Sequence, residues 1–404
     1  MKKIVDQAVW GSGTHSHITQ EGREPQVSPR LSSDSLRETS TVDAQMPLED
    51  ALDLLISGDF QTRWGIIRTF VVYGEPAAIA LAELLENDAL DAEVRWFVVR
   101  ALSEFEASWS VAPLVRLLQN TQDTDLVAGA VEGLSQYGET GVRAIAALMT
   151  HPNLCRLAVQ TLGQMRHPAT LEPLLAATEH PDPVVRTAAI AGISVFRQPM
   201  VMPKLVAAIK DPAASVRQAA VTALGVRAHQ CNPDALLYEL LPCLWDINLA
   251  VCQATAIALS RIGTATAVAS LSRVLQSPHT PEPLQISVVQ ALGWIPSESA
   301  LSALLSAWAT ITQPAVRLEI VEVLTRLERE ESRHRAGEAL HQWLETRCPE
   351  NAEPQHHDVT CAIALALARL GYRPACPLLT TLAQSENPQI QVYAEAALRQ
   401  FAAQ

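Results

Sequence analysis

Residues 182–193 read DPVVRTAAIAGI and residues 211–225 read DPAASVRQAAVTALG. Each stretch opens on Asp-Pro, passes through Val-Arg and continues with small apolar residues. In the second, Val216, Ala219, Ala220, Ala223 and Leu224 share one side of a 3.6-residue helix, the side expected to face a core. Counted from the arginine, positions +1, +4, +5 and +8 are then expected to look toward a groove or its edge. An aspartate four residues before the arginine suits a helix N-cap, because its short carboxylate can accept from the free N–H groups of the first turn.

The same frame recurs along the chain. Residues 91–102, DAEVRWFVVRAL, repeat it closely, and aligning the arginine slot elsewhere by the Ala-Leu and Gly positions that follow gives eleven anchors. They are Arg63, Arg95, Val127, Arg156, Arg186, Arg217, Cys252, Gln285, Arg317, Thr360 and Gln391. The gaps between them are 32, 32, 29, 30, 31, 35, 33, 32, 43 and 31 residues. A fixed period of this size marks a repeat array. Prolines 13 or 14 residues ahead of the anchor, at Pro113, Pro173, Pro203 and Pro377, fit the first turn of a preceding helix, where no N–H is needed. Aspartates at Asp59, Asp91, Asp123 and Asp182 fit the cap of the second helix, and glycines 8 or 11 residues after the anchor fit its end.

Each unit therefore reads as a helical hairpin, and one hairpin cannot cover its own apolar face. Stacking covers it. The predicted fold is all-α: a right-handed α-solenoid of about eleven hairpins over residues 46–404, on the order of 100 Å long at one helix diameter per unit. Residues 1–45 hold eleven Ser or Thr and no helical period, and read as a disordered tail.

Composition agrees. Of 404 residues, 48% are apolar but only 5% aromatic, so Ala, Leu and Val supply the buried surface and favour helix. The net charge of −13 argues against a polyphosphate partner such as DNA or RNA. Seven cysteines without a CxxC pair fit reduced thiols in the cytoplasm. No apolar run is long enough to span a membrane, and the N-terminal MKKIVDQAVWGSG has no apolar stretch of signal-peptide length.

Two adjacent units depart from the small or polar residues, such as Thr187 and Gln218, that others carry at +1. RWGIIR at 63–68 and RWFVVR at 95–100 place Trp64 and Trp96 at +1 and Arg68 and Arg100 at +5. With the anchors Arg63 and Arg95, these six residues form the candidate binding site. Indoles offer large contact area and guanidiniums fork onto carboxylates, so the chemistry suits another protein with an acidic, partly apolar surface. The competing reading folds the tryptophans over the seam between repeats and pairs the arginines with Asp59 and Glu93.

Metal chemistry has weaker grounds. Cys231, Cys243 and Cys252 could offer three thiolates to zinc or an iron–sulfur cluster, but spacings of 12 and 9 residues match no ligand pattern. His334, His341, Cys348, His356, His357 and Cys361 gather in the long gap after Arg317, without the H-x3-H or C-x2-C spacing of one site. That gap reads as an inserted charged helix and loop. No Walker loop, hydrolase elbow or Gly-rich dinucleotide turn is present, so nothing in the chain supports catalysis.

The pattern D-P-x-x-V-R-x-x-A-x-x-A-L-G resembles a HEAT repeat. The short period and the Val94-Arg95-Trp96 variant are similar, more narrowly, to the HEAT-like repeats of the phycobilisome lyase family, the E/F-type bilin lyases. That resemblance covers residues 46–404. It implies a chain that handles an open-chain tetrapyrrole and meets a phycobiliprotein or a related HEAT-repeat chain, with aromatic faces and arginines toward the ligand's rings and propionates. Those lyases are typically shorter and work in pairs. The paired His-Glu dipeptides of HEAT-repeat di-iron hydroxylases are absent. From the residues themselves no cofactor is expected, and the leading expectation is a protein-binding scaffold or assembly chaperone that uses its concave groove.

Overall fold

The computed structural model describes residues 46–403 apart from 88, 231 and 348–356. The tail assigned to residues 1–45 thus lies outside the described residues, as do Cys231, Cys348 and His356. The described residues form α-helices and short 3₁₀ turns, with no strand among them. Eleven helical hairpins follow one another, from Leu48–Ser57 with Phe60–Ile66 at one end to Cys376–Leu382 with Pro388–Ala403 at the other. Every anchor falls in the second helix of its pair. Second helices pack on one another in chain order, as Pro152–Met165, Pro183–Ile193, Ala214–Val226 and Leu249–Ile262 do. The first helices form a parallel layer, as Ala265–Gln276, Glu298–Thr310 and Glu330–Arg347 do. One continuous apolar cluster runs between the layers.

The four aspartate caps form as expected: Asp59 accepts from Thr62 N at 2.9 Å, Asp91 from Glu93 N at 3.2 Å, Asp123 from Asp125 N at 2.9 Å and Asp182 from Val184 N at 2.8 Å. The anchor's purpose is also visible. A helix end leaves carbonyls without intrahelical partners, and the anchor side chain donates to those at the end of its own first helix and turn. Arg186 Nη1 reaches His180 O and Pro181 O at 2.8 Å, and Arg217 Nη1 reaches Asp211 O at 2.8 Å and Pro212 O at 2.9 Å. Two non-arginine anchors do the same with shorter donors: Cys252 Sγ meets Asp246 O at 3.2 Å and Gln285 Nε2 meets Leu275 O at 3.4 Å. Buried Arg317 donates through Nε to Ile311 O at 2.7 Å, its guanidinium lying 5.4 and 5.2 Å from the Trp308 and Trp343 rings.

In the centre the anchors extend into a ladder. Arg186 forks onto Asp211 of the next unit with both bonds at 2.8 Å, and Arg217 forks onto Asp246 with both at 2.7 Å. Both carboxyls are held below their usual range, first by these hydrogen bonds.

Three expectations need correction. Position +4 is mostly not a groove position: Val99, Ile190, Val221 and Ala256 are buried, because a second helix has neighbours on two sides besides its own first helix. Position +8 is divided, with Gly225 buried but Val71 and Gly293 exposed. The glycines also divide by register. Those at +11, Gly74, Gly138, Gly263 and Gly371, have φ between 54° and 71° and end or join helices, whereas Gly225 and Gly293 at +8 lie within helices. There they permit close approach: a Cβ on Gly225 would sit 2.7 Å from Ala258 Cβ. Finally, Pro113 is inside the helix Ala107–Asn120 rather than in its first turn, because that helix starts earlier than its counterparts. The 43-residue gap arises from an 18-residue first helix, Glu330–Arg347, followed by residues outside the described set.

Candidate interaction site

The two R-W-x-x-x-R motifs lie on adjacent second helices. In the first hairpin that helix breaks at Ile67 and Arg68, leaving Phe60–Ile66 and Thr69–Tyr73, whereas Ala92–Leu102 is continuous. The six residues then divide by depth.

Arg63 and Arg95 point into the hairpins. Arg63 donates to Leu55 O at 3.1 Å and Ile56 O at 3.0 Å and pairs with Glu93 at 3.1 Å, and Arg95 donates to Leu85 O at 3.2 Å. They do the anchor's architectural work. Asp59, the other acid considered for pairing, is instead the cap of the helix, its carboxyl lowered chiefly by the Thr62 hydroxyl.

Trp64 and Arg68 are exposed, whereas Trp96 and Arg100 are half-buried and Trp96 also packs against the core. Trp64 stacks on Trp96 with centroids 6.4 Å apart and planes 17° from parallel, nearer than the roughly 10 Å helix diameter suggests, because both side chains lean into the seam. Trp64 still keeps 50% of its surface exposed. Phe60, one helical turn before Trp64, also stacks with it at 6.1 Å and 8°, and buried Phe97 meets all three rings in edge geometry. The result is a strip of three near-parallel aromatic rings.

Two recesses flank the strip. Beside the C-terminal ends of the second helices, Trp64, Gly65, Ile67, Arg68, Arg100 and Glu104 line about 350 Å³. Arg68 is exposed and makes no side-chain hydrogen bond or ion pair among the described residues, while Arg100 meets Glu132 at 3.2 Å. Beside the N-terminal ends, Phe60, Glu93, Trp96, Phe97, Asp123 and Asp125 lie around about 420 Å³. Phe60 and Asp125 were not singled out in the sequence, and Glu93 and Asp123 were read only as an arginine partner and a helix cap. The Phe60–Trp64 spacing of four residues was the available signal, since such residues share a helix face.

Further along the same face, at the last three hairpins, a recess of about 450 Å³ carries Glu319, Glu322, Asp358, Arg369 and Tyr393. Away from the groove, Trp245, Ile247 and Leu249 form an exposed apolar turn, with the Arg273 guanidinium 6.0 Å from the Trp245 ring.

The thiols and histidines do not converge. Among the described residues no group of three or more His, Cys, Asp or Glu could hold a metal ion. Burial pushes the Cys243 and Cys361 thiols up to about 11 and raises that of Cys252, which disfavours the thiolate that a metal requires. His334 and His341 pack against Tyr372, and His357 hydrogen-bonds Asn387 at 2.9 Å.

The HEAT-repeat profile matches residues 142–225 and 202–283. Over residues 142–283 the chain carries HEAT repeats. No curated protein matches the sequence. Among solved structures, a chain from the study of Kap95p binding to RanGDP is 13% identical with a TM-score of 0.54, over 89% of this chain and 56% of that one. A homology model of the full-length AP-3 complex is 11% identical with a TM-score of 0.53, over 91% of this chain and 78% of that chain. At such identity the likeness is one of fold: stacked HEAT hairpins. Among the described residues no helix is long and apolar enough to cross a membrane.

Proposed function

We propose that this HEAT-repeat chain is a protein-binding scaffold or assembly chaperone, and that its first two hairpins carry the principal contact. The supporting observation is the exposed stack of Phe60, Trp64 and Trp96 beside Arg68 and Arg100. Aromatic rings exposed at this density cost solubility unless a partner covers them, and Trp, Tyr and Arg dominate binding energy at protein interfaces. A chain of similar fold comes from the structure in which Kap95p binds RanGDP, which is consistent with a binding role for such a solenoid. The described cysteines are free thiols, which fits a cytoplasmic setting.

The test is affinity capture from cell extract with three baits: the natural chain, Trp64→Ala with Trp96→Ala, and Trp294→Ala, the last removing an exposed tryptophan far along the chain. A partner held by the first and third baits and lost from the double variant supports the reading. Equal capture by all three sinks it. The chromophore-handling role implied by the resemblance has its own readout, long-wavelength absorbance on protein co-expressed with bilin-producing enzymes. Trp64 and Trp96 lie on one another and Phe60 stacks with Trp64, so a flat ligand would compete with these rings for the indole faces.

A further inference from the structure

The strip and its two recesses form a face with a definite charge order. Along the second helix of hairpin two, Glu93 lies near the start, Trp96 in the middle and Arg100 near the end. Asp123 and Asp125 add carboxylates on the Glu93 side, and Arg68 adds a guanidinium on the Arg100 side. Trp96 borders the recess whose charged residues are all acids, and Trp64 the one that holds Arg68 and Arg100 with Glu104, so the stacked indoles divide an acidic compartment from one in which Arg68 is the guanidinium not already paired, Arg100 meeting Glu132. Part of this order follows from helix dipoles, which favour acids in first turns and cations in last turns. The dipoles do not call for an exposed aromatic strip between them. Nor do all the charges have internal partners: Asp125 and Arg68 are exposed and make no side-chain ion pair among the described residues.

From this face we infer that the partner presents one extended segment of mixed charge: an acidic side chain, a central apolar side chain and a basic side chain, laid across the strip roughly parallel to the second helices. The inference rests on the proposed scaffold role and specifies what that role recognises. The carboxylate meets Arg68 and Arg100, the apolar group lies on Trp64 and Trp96, and the cation enters the recess of Phe60, Trp96, Asp123 and Asp125. An aromatic wall and carboxylates together favour a cation, through the ring quadrupole and direct pairing. The spacing follows from the helix. Seven residues separate Glu93 from Arg100, about 10 Å at 1.5 Å per residue, and an extended chain covers that distance in roughly three residues at 3.3 Å each. The acidic and basic residues of the segment therefore stand three or four apart, with the apolar residue between them. This differs from a purely acidic partner, which the arginines alone had suggested.

The experiment uses the full chain and three fluorescent synthetic peptides of equal length: Glu-Ser-Leu-Ser-Arg, Glu-Ser-Leu-Ser-Glu and Arg-Ser-Leu-Ser-Arg, each within the same uncharged flanks, measured by anisotropy at low salt. The mixed peptide should bind roughly tenfold or more tighter than either single-sign peptide, as expected for one lost charge contact of about 1.4 kcal/mol or more. Arg68→Glu with Arg100→Glu should move the preference to the all-basic peptide, and Asp125→Lys should weaken the mixed peptide relative to the all-acidic one. Equal or tighter binding of the all-acidic peptide to the natural chain overturns the inference. So does failure of every peptide while a partner is still captured and still lost on Trp64→Ala with Trp96→Ala, a result that leaves the scaffold reading standing. If that double variant captures everything the natural chain does, the scaffold reading itself has failed. Circular dichroism matching the natural chain confirms that each variant is folded.

Discussion

Hairpins one and two and hairpins five and six share one frame and use it differently. In the central pair, Arg186 and Arg217 fork onto Asp211 and Asp246, and the +1 positions are Thr187 and Gln218. In the first pair, Arg63 and Arg95 satisfy the same helix-end carbonyls, but the +1 positions are Trp64 and Trp96. The anchor slot is therefore architectural in both places, and what distinguishes the first pair begins one residue later. Conspicuous arginines were the easiest residues to pick from the sequence, and the two at the anchor turned out to hold the hairpin rather than face solvent.

The sharpest way to break this contrast is to remove what only the first pair has. Trp64→Ala with Trp96→Ala should cost about 4 kcal/mol of partner binding, roughly 2 per hot-spot residue, with only a modest fall in the thermal midpoint, carried by half-buried Trp96 rather than by half-exposed Trp64. Binding assays and a melt on the same samples would show it. A large fall in the midpoint with binding intact would make the stack structural and erase the distinction.

The reverse operation belongs to the centre. Arg217→Ala leaves Asp246 without its guanidinium and the Asp211 and Pro212 carbonyls without their donor, in a pair whose side chains are each 11% exposed. Breaking such a buried pair costs about 3 kcal/mol. Faster amide exchange should appear in Ala214–Val226 and Leu249–Ile262, while capture through the first hairpins stays unchanged. Arrays with nearest-neighbour coupling localise damage in this way.

Gly225→Val should have a smaller effect, about 2 kcal/mol, by forcing apart the second helices of hairpins six and seven where Ala258 sits within contact. Urea titration would measure it. The same substitution at exposed Gly65, where an added Cβ meets nothing within 4 Å, should have a much weaker effect, limited to helix propensity.

The sequence carried the repeat period, the hairpins, the aspartate caps and the stack of second helices, because each rests on local spacing that every unit repeats. It carried less of the site. Position +4 was misjudged because a lone hairpin has no neighbour, and only the stack shows that Val99 and Val221 lie between second helices. Phe60 went unnoticed because its one local mark, the four-residue spacing to Trp64, is weak by itself. It meets Phe97 only through the fold, which brings residues 60, 64, 96 and 97 together across a seam. The acidic recess was missed for a related reason: Asp123 and Asp125 belong to hairpin three, where Asp123 was read only as a cap and Asp125 was not considered.

The smallest effect at neutral pH, and the most selective in acid, comes from the ladder carboxylates. Arg186 and Arg217 hold Asp211 and Asp246 below the usual aspartate value near 4. A carboxylate with a lowered folded-state pKa adds stability that is fully present above the unfolded value and is lost as pH falls through the folded one. The urea midpoint should therefore hold from neutrality to about pH 4 and fall below it, with exchange rising first in hairpins five to seven. Asp246→Asn keeps an oxygen for Arg217 but cannot titrate, so its acid limb should be shallower than that of the natural chain. The first two hairpins, whose anchors rely on carbonyls and one exposed glutamate, should show less of this acid loss; equal loss at both places would mean that the ladder adds nothing beyond the shared anchor.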